Sequence, residues 1–461
     1  MKNFRIEKDT LGKVKVPKDK FWGAQTQRSL ENFNIGSDKM PIELINSFAI
    51  QKKAAAVSNV ALGKLSPRLG KQIIKVCDEI ISGKLNDQFP LSVWQTGSGT
   101  QTNMNLNEVI ANKANKNLGN DLGSYDPIHP NDHCNLGQSS NDSFPTVMHI
   151  SLIKIITEKL EPEITLFIRS IKKKEREFKN IVKIGRTHLQ DATPITLDQE
   201  FSGFSKQIEN CLKRIKSSKE DLYYLAQGGT AVGTGLNSSA KFVKGFIKAV
   251  QLITKLPFKE SKNKFESLAS HEPIIFLNSA VNSLVIACYK IANDLRLQAS
   301  GPRCGIGELI LPSNEPGSSI MPGKVNPTQC EAMAQVCIHL QGIYTSNFFA
   351  GTQGHFQLNA NKTLIIFNTL RTINLISDAI KSFRTKCLDN IIANKNIIEK
   401  NLNNSLMLIT ALNPKIGYEK SAEIAKKAFK EKITLKKATL ELGYLSEKEF
   451  DILVDPKKMI K

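Results

Sequence analysis

The chain has 461 residues, 41% hydrophobic and 23% charged, which is enough apolar material for more than one core and too little for a membrane-embedded protein. Lys and Arg number 63 against 43 Asp and Glu, a formal charge of +20. The excess is dispersed in clusters as short as Lys172-Lys173-Lys174 and Lys436-Lys437, and only 7% of residues are aromatic, so it reads as solvated lysine on helix faces more readily than as a nucleic-acid footprint.

The first twenty residues alternate charges with single apolar residues and have no apolar core of a secretory leader, so the chain is expected to begin at Met1 without export. Phe4 to Val16, broken by Asp9-Thr10-Leu11-Gly12, predicts a small β-hairpin. Helical periodicity dominates from there on. Apolar residues at three- and four-residue steps predict long helices over Glu43 to Ala61, Pro145 to Phe178, Glu200 to Ala226, Ser279 to Ala299, Pro327 to Phe349 and Thr363 to Thr385. The uncharged stretch Pro273 to Tyr289 is short for a bilayer and carries Pro273, Asn278 and Asn282, so no membrane span is expected. Gly and Pro gather in loops at 96–100, 126–137, 185–194, 228–235, 301–307 and 312–327. The tail from Lys395, with Asn413-Pro414-Lys415-Ile416-Gly417 between two short amphipathic helices, predicts a small helical cap. The fold expected is mainly α with a central long-helix bundle. Eight cysteines lie far apart without a C-x-x-C pair, which suits reduced thiols in the cytoplasm and argues against a metal-ligand set.

Four polar stretches could carry chemistry. Glu315 to Pro327 (EPGSSIMPGKVNP) is dense in Gly, Ser and Pro, whose backbone N–H groups and hydroxyls can form an anion nest. Asn326 and Pro327 suit the cap and first position of the next helix, and Glu331 its first turn; an ordinary capped loop would look the same. Gln95 to Thr100 (QTGSGT) precedes a helix opening near Asn103 and presents Ser98 and Thr100. Gln138 to Asp142 (QSSND) opens a helix near Phe144; Asp142 could merely cap it, but Ser139, Ser140 and Asn141 exceed what a cap requires. In Gly185 to Gln190 (GRTHLQ), Thr187 and His188 are placed in a loop between helices, where a lone histidine is more often structural than catalytic. The inventory is hydroxyls, amides, one Lys and one His, with no nucleotide fingerprint and no metal cluster. It suits a small polyanionic acid handled by acid and base groups without a cofactor.

These residues carry a resemblance. GSSIMPGKVNP at 317–327, TGSGTQTNMNLNEVIANKA, HPNDH, QSSND, GRTHLQDATP and LAQGGTAVGTGLN, in this order from about Phe4 to the C-terminus, closely resemble the class II fumarate hydratases of the fumarase and aspartase superfamily. The resemblance implies three segments, a mostly helical 1–138, a central bundle 139–394 and a helical 395–461. It also implies a homotetramer whose active sites draw motifs from three subunits, and the reversible hydration of fumarate to L-malate, a tricarboxylic acid cycle step, without metal or organic cofactor. On that basis Ser318 is the base for the C3 proton. Lys324 and Asn326 clamp the developing aci-carboxylate, with Ser98, Gly99, Thr100, Ser139, Ser140, Asn141, Thr187, Ser319 and Val325 lining the substrate site. His188, paired with Glu331, handles the water, and 317–327 acts as a mobile lid.

The resemblance further implies a second, non-catalytic carboxylate site at His129, Pro130, Asn131 and Asp132. Asp126 and Pro127 stand where many relatives carry basic residues, and an acid there repels a dicarboxylate. Cys134, Leu136-Gly137, Asp198 and Asn361-Lys362-Thr363 also depart from the family pattern. The competing expectations are an aspartate ammonia-lyase on the same fold, against which Gln101 and His188 speak, lyases acting on argininosuccinate or adenylosuccinate, and a non-catalytic basic binding protein.

Overall fold

The computed structural model describes residues 4–460; the expected start at Met1 lies outside them. Strand β1 (Phe4–Asp9) pairs antiparallel with β2 (Gly12–Pro17) across a Thr10-Leu11 turn, as expected. There follow α1 (Ala24–Asn32), α2 (Ile42–Ala61), α3 (Pro67–Ile81), α4 (Thr100–Asn117), α5 (Ser140–Ile155) and α6 (Glu161–Glu177). A second antiparallel hairpin, β3 (Val182–Thr187) with β4 (Gln190–Thr196), leads to α7 (Leu197–Ser218), α8 (Ala240–Thr254) and α9 (Lys264–Ala269). The long helices α10 (Glu272–Gln298), α11 (Thr328–Thr352) and α12 (Lys362–Lys386) precede the shorter α13 (Lys395–Asn404), α14 (Asn413–Ile416), α15 (Tyr418–Glu431), α16 (Leu435–Glu441) and α17 (Glu447–Leu453).

The hairpin β3–β4 corrects the expected loop at 185–194. Val182 and Ile184 alternate with polar neighbours, but Gly185 and Pro194 masked the strand period. The tail differs too: Asn413-Pro414-Lys415-Ile416 is itself a helical turn, since Pro414 sits at its start where the missing N–H costs nothing.

The chain forms two compact units, the first from residues 1–162, 213–283 and 338–376, the second from 163–212, 284–337 and 377–461. In the first, α2 is buried along most of its length and packs on α3, α5 and α8. A buried polar seam joins its bundle helices. Asn278 donates to Thr369 Oγ1 at 3.0 Å, and Asn347 donates to Thr369 Oγ1 at 3.1 Å. In the second unit, Leu402, Leu408, Leu412, Ile424, Leu435 and Phe450 close a core that includes Ile184 of β3.

Helix α10 is long and apolar enough to cross a membrane by length and composition, but 56% of its apolar window is buried in the fold, as in the core helix of a bundle.

Candidate active site

In the first unit, a tight turn brings the 96–100 stretch against two other chain segments. Gly99 (φ +79°) is the last residue before α4, and a side chain there would lie 2.0 Å from the Phe144 ring. Gly97 is pressed onto the Ala360 carbonyl, which stands 1.2 Å from where a Cβ would be. Only glycine permits such approaches. Helix α4 therefore opens at Thr100, three residues earlier than the polar pattern suggested, and Ser98 Oγ and Thr100 Oγ1 lie 2.9 Å apart at its start. Gly97→Ala is expected to destabilise the fold by about 1–3 kcal/mol, the usual cost of forcing volume into a packed site; thermal unfolding checks it, and an unchanged melting temperature would show that the turn yields.

The 138–142 cluster is more than a cap. Ser139 is the N-cap of α5 and Asp142 completes a capping box, so Ser140 and Asn141 lie inside the first turn, before the Phe144 opening expected. Asp142 is fully buried and uses both oxygens. Oδ1 accepts from Ser139 N at 3.0 Å and Ser143 Oγ at 3.2 Å; Oδ2 accepts from Gly228 N and Thr230 N, each at 2.9 Å. Asn141 donates to Ala231 O at 2.8 Å, while Ser140 Oγ accepts from Asn103 Nδ2 at 3.0 Å. The 228–231 loop thus fixes the start of α5 from some ninety residues away, through Asp142, a role that no local signal announced. Behind it, Gln138 accepts from the buried ammonium of Lys52 at 2.9 Å.

The proposed second carboxylate site is bound up in its own backbone. His129 Nδ1 accepts from Asn131 N at 3.2 Å and Asp132 N at 3.3 Å, capping a one-turn π-helix over Pro130–Cys134. Asp132 Oδ2 also lies 3.3 Å from that nitrogen, but a lone pair that receives N–H groups cannot donate to a carboxylate, so we read the contact as capping and not as an ion pair. Asp126 is exposed nearby.

The second unit carries the remaining residues. Thr187 ends β3, and His188 (φ +56°) with Leu189 (φ +62°) forms the two-residue turn of the hairpin, both exposed. This corrects the expected loop between helices: two consecutive positive φ angles match the right-handed twist of the strands. The hairpin base is held by charge. Glu308 is fully buried and accepts from Arg186 at 3.0 and 2.7 Å, with the Lys183 ammonium at 3.2 Å. Burial alone would raise the Glu308 carboxyl, but the Arg186 hydrogen bonds and the two cations hold it below its ordinary value. A depressed carboxyl contributes stability that is complete above its unfolded value and lost as pH falls through the folded one. Glu308→Gln should therefore lower the melting temperature at neutral pH, the gap to wild type closing as pH drops below the ordinary carboxylate range; a gap constant with pH would refute the linkage.

In the 315–328 loop, Ser318 Oγ accepts from Ile320 N at 3.3 Å and Met321 N at 3.1 Å. The turn depends on Gly317 (φ +81°), where a Cβ would lie 1.7 Å from the Lys324 carbonyl. Glu315 accepts from Thr328 Oγ1 at 2.8 Å and closes the loop. Helix α11 begins at Thr328, one residue after Pro327, with Glu331 exposed in its first turn. Ser319, Lys324 and Val325 are exposed, Ser318 and Asn326 half-buried. Among the described residues no group of three or more His, Cys, Asp or Glu side chains is placed to hold a metal, and all eight cysteines are free thiols, seven of them buried.

A cavity of about 530 Å³ in the first unit, lined by His149, Asp221, Tyr224 and Glu266 among others, contains none of the residues singled out from the sequence. Those residues sit instead on loops, at helix starts and on the β3–β4 hairpin.

By family, this mainly helical chain is a lyase. Residues 12–342 match the lyase family model, and residues 408–461 match that of the fumarase C C-terminus. The chain belongs to the class II fumarate hydratase family. It is 55% identical to fumarate hydratase class II 2 of Bradyrhizobium diazoefficiens, over 99% of this chain and 97% of the relative. It is also 53% identical to the mitochondrial fumarate hydratase of Saccharomyces cerevisiae, over 99% and 94%. The crystal structure of the class II fumarase from Schistosoma mansoni superposes with a TM-score of 0.97 at 42% identity, covering 99% of both chains.

Proposed function

We infer that the protein catalyses the reversible, stereospecific hydration of fumarate to L-malate. Similarity to class II fumarate hydratases over 99% of the chain carries this conclusion, and every side chain the reaction calls on is present.

In the dehydrating direction, Ser318 removes the C3 proton of malate and the electron pair moves onto the neighbouring carboxylate. Lys324 and Asn326 stabilise the resulting aci-carboxylate, a charge that develops only along the reaction and so rewards fixed donors. Ser98, Gly99, Thr100, Ser139, Ser140, Asn141, Thr187, Ser319 and Val325 hold the dianion in place. His188, oriented by Glu331, protonates the C2 hydroxyl, which leaves as water; hydration reverses each step.

The same proposal includes a homotetramer whose sites combine motifs from three subunits. The wide spacing of the motifs and the exposure of His188, Lys324 and Glu331 in a single chain support it. It includes the division at 138/139 and 394/395, closure of the 317–327 loop over the site, and a cytoplasmic location. It also includes weak occupancy of the 129–132 site, which the self-capped His129 and exposed Asp126 favour.

The test is ultraviolet absorbance of fumarate with purified, chelator-treated protein, in water alone and with ammonium. Rapid loss without ammonium, yielding L-malate, is expected. Loss only with ammonium would make it an aspartate ammonia-lyase, and no loss in either would remove the assignment.

A further inference from the structure

Lys362 opens α12 fully buried, and its ammonium has no hydrogen-bond partner among the described residues. Its backbone N–H donates to Gly97 O at 2.9 Å, and Ala360, two residues earlier, is the group pressed onto Gly97. Lys362 is thus fastened directly behind the turn that presents Ser98 and Thr100. The starts of α4, α5 and α12 meet here, each with the positive end of its dipole.

The titratable groups facing Lys362 do not neutralise it. Asp142, on α5, is within its electrostatic reach but is already saturated by three backbone N–H groups and the Ser143 hydroxyl. His271, at the foot of α10, is buried with both ring nitrogens unpartnered, and burial followed by the nearby Lys362 charge keeps it neutral. Beyond His271 and in its electrostatic reach, His149 on α5 is bonded to Tyr224 O at 2.9 Å, and burial pushes it down to about 4. An ammonium enclosed without a partner is strongly unfavourable, and burial brings Lys362 down to about 7. A methionine would fill the same space without that penalty. The charge therefore answers to something that arrives.

We propose that Lys362 is a positioning residue for the substrate dianion: it takes up a proton from solvent as a carboxylate docks on Ser98, Thr100 and Ser139 to Asn141, and supplies the counter-charge from behind the turn, without contact. This rests on those residues being the carboxylate site. Substrate binding then couples to pH in one direction. Below neutrality the lysine is charged throughout and binding is tightest. As pH rises past the range where even the bound form loses its proton, the advantage disappears.

The experiment compares wild type with Lys362→Met and Lys362→Arg, measuring KM and kcat for fumarate from pH 6.5 to 9.5, beside Asn141→Ala as a marker of the carboxylate site. An opposite charge nearby favours the protonated form about ten-fold or more, so Lys362→Met should raise KM about ten-fold at pH 6.5. The ratio should fall towards one above pH 9, with kcat within about three-fold, an undiminished melting temperature, and KM restored by Lys362→Arg. A Met-to-wild-type KM ratio of one at every pH, or constant at any other value, overturns the proposal. If Asn141→Ala raises KM while Lys362→Met does not, the carboxylate site stands and only the role of Lys362 falls; if neither changes KM, both fall. Should Lys362→Met not assemble, calorimetry of wild type with succinate at pH 8, in two buffers of different ionisation enthalpy, decides. About 0.4 of a proton taken up per site, the amount a ten-fold preference for the protonated form gives at this pH, supports the proposal, and none overturns it.

Discussion

Ser318→Ala is expected to lower kcat by about two to four orders of magnitude, the usual contribution of a positioned general base, with KM little changed. A serine hydroxyl is by itself far too weak a base for a carbon acid. In this fold Ser318 Oγ already accepts two backbone N–H groups, from Ile320 and Met321, and donors aimed at an oxygen favour its anionic form. Two such bonds in an exposed loop are not sufficient alone. They gain strength when water is excluded, which requires the loop to close or a neighbouring subunit to cover it. Because the loop's shape is set by Gly317 and by the Glu315 bond to Thr328, removing the hydroxyl should leave that shape and the state of assembly unchanged. Progress curves from fumarate absorbance check the rate, and size-exclusion chromatography checks assembly. Near-full activity in the variant would place the base elsewhere.

His188→Asn should reduce kcat by a comparable factor, about 10²- to 10⁴-fold, while leaving stability near that of wild type. Asparagine is the informative replacement because His188 sits at φ +56°, a left-handed conformation that Asn accepts more readily than most residues. The turn survives, and only proton transfer to and from the substrate oxygen is lost. The hairpin below it is secured by Arg186 and Glu308 and does not depend on the imidazole. A variant that melted early would make His188 a structural residue; one that melted normally and turned over normally would remove it from the mechanism.

Much of this architecture is legible in the chain itself. The 3.6-residue apolar stripes mark α2, α10, α11 and α12 to within a few residues at most ends, and the Gly-Ser-Pro loops mark where chemistry can sit. What escapes is whatever depends on distant partners. The β3–β4 hairpin reads as a loop because Gly185 and Pro194 interrupt the alternation, and only pairing between Val182 and Thr196 shows the strands. Asp142 reads as a cap because the Gly228 and Thr230 amides that complete its shell are 86 and 88 residues away. Lys362 reads as one more lysine in a chain with a charge of +20, since a solvated ammonium and a buried one look alike in sequence. The charge total, informative about solubility, does not separate the two.

Dispersed site residues make a sharp demand on assembly. If Ser318 and His188 reach one active site from different subunits, Ser318→Ala and His188→Asn tetramers, each nearly inactive, must complement when dissociated and reassembled together. Random mixing at equal ratio leaves about one site in four with both wild-type residues, as expected for a closed symmetric oligomer. Fumarate hydration should therefore recover to about a quarter of the wild-type rate. Mixed tetramers, verified by native mass spectrometry, that remained as inactive as their parents would contradict a site shared between subunits.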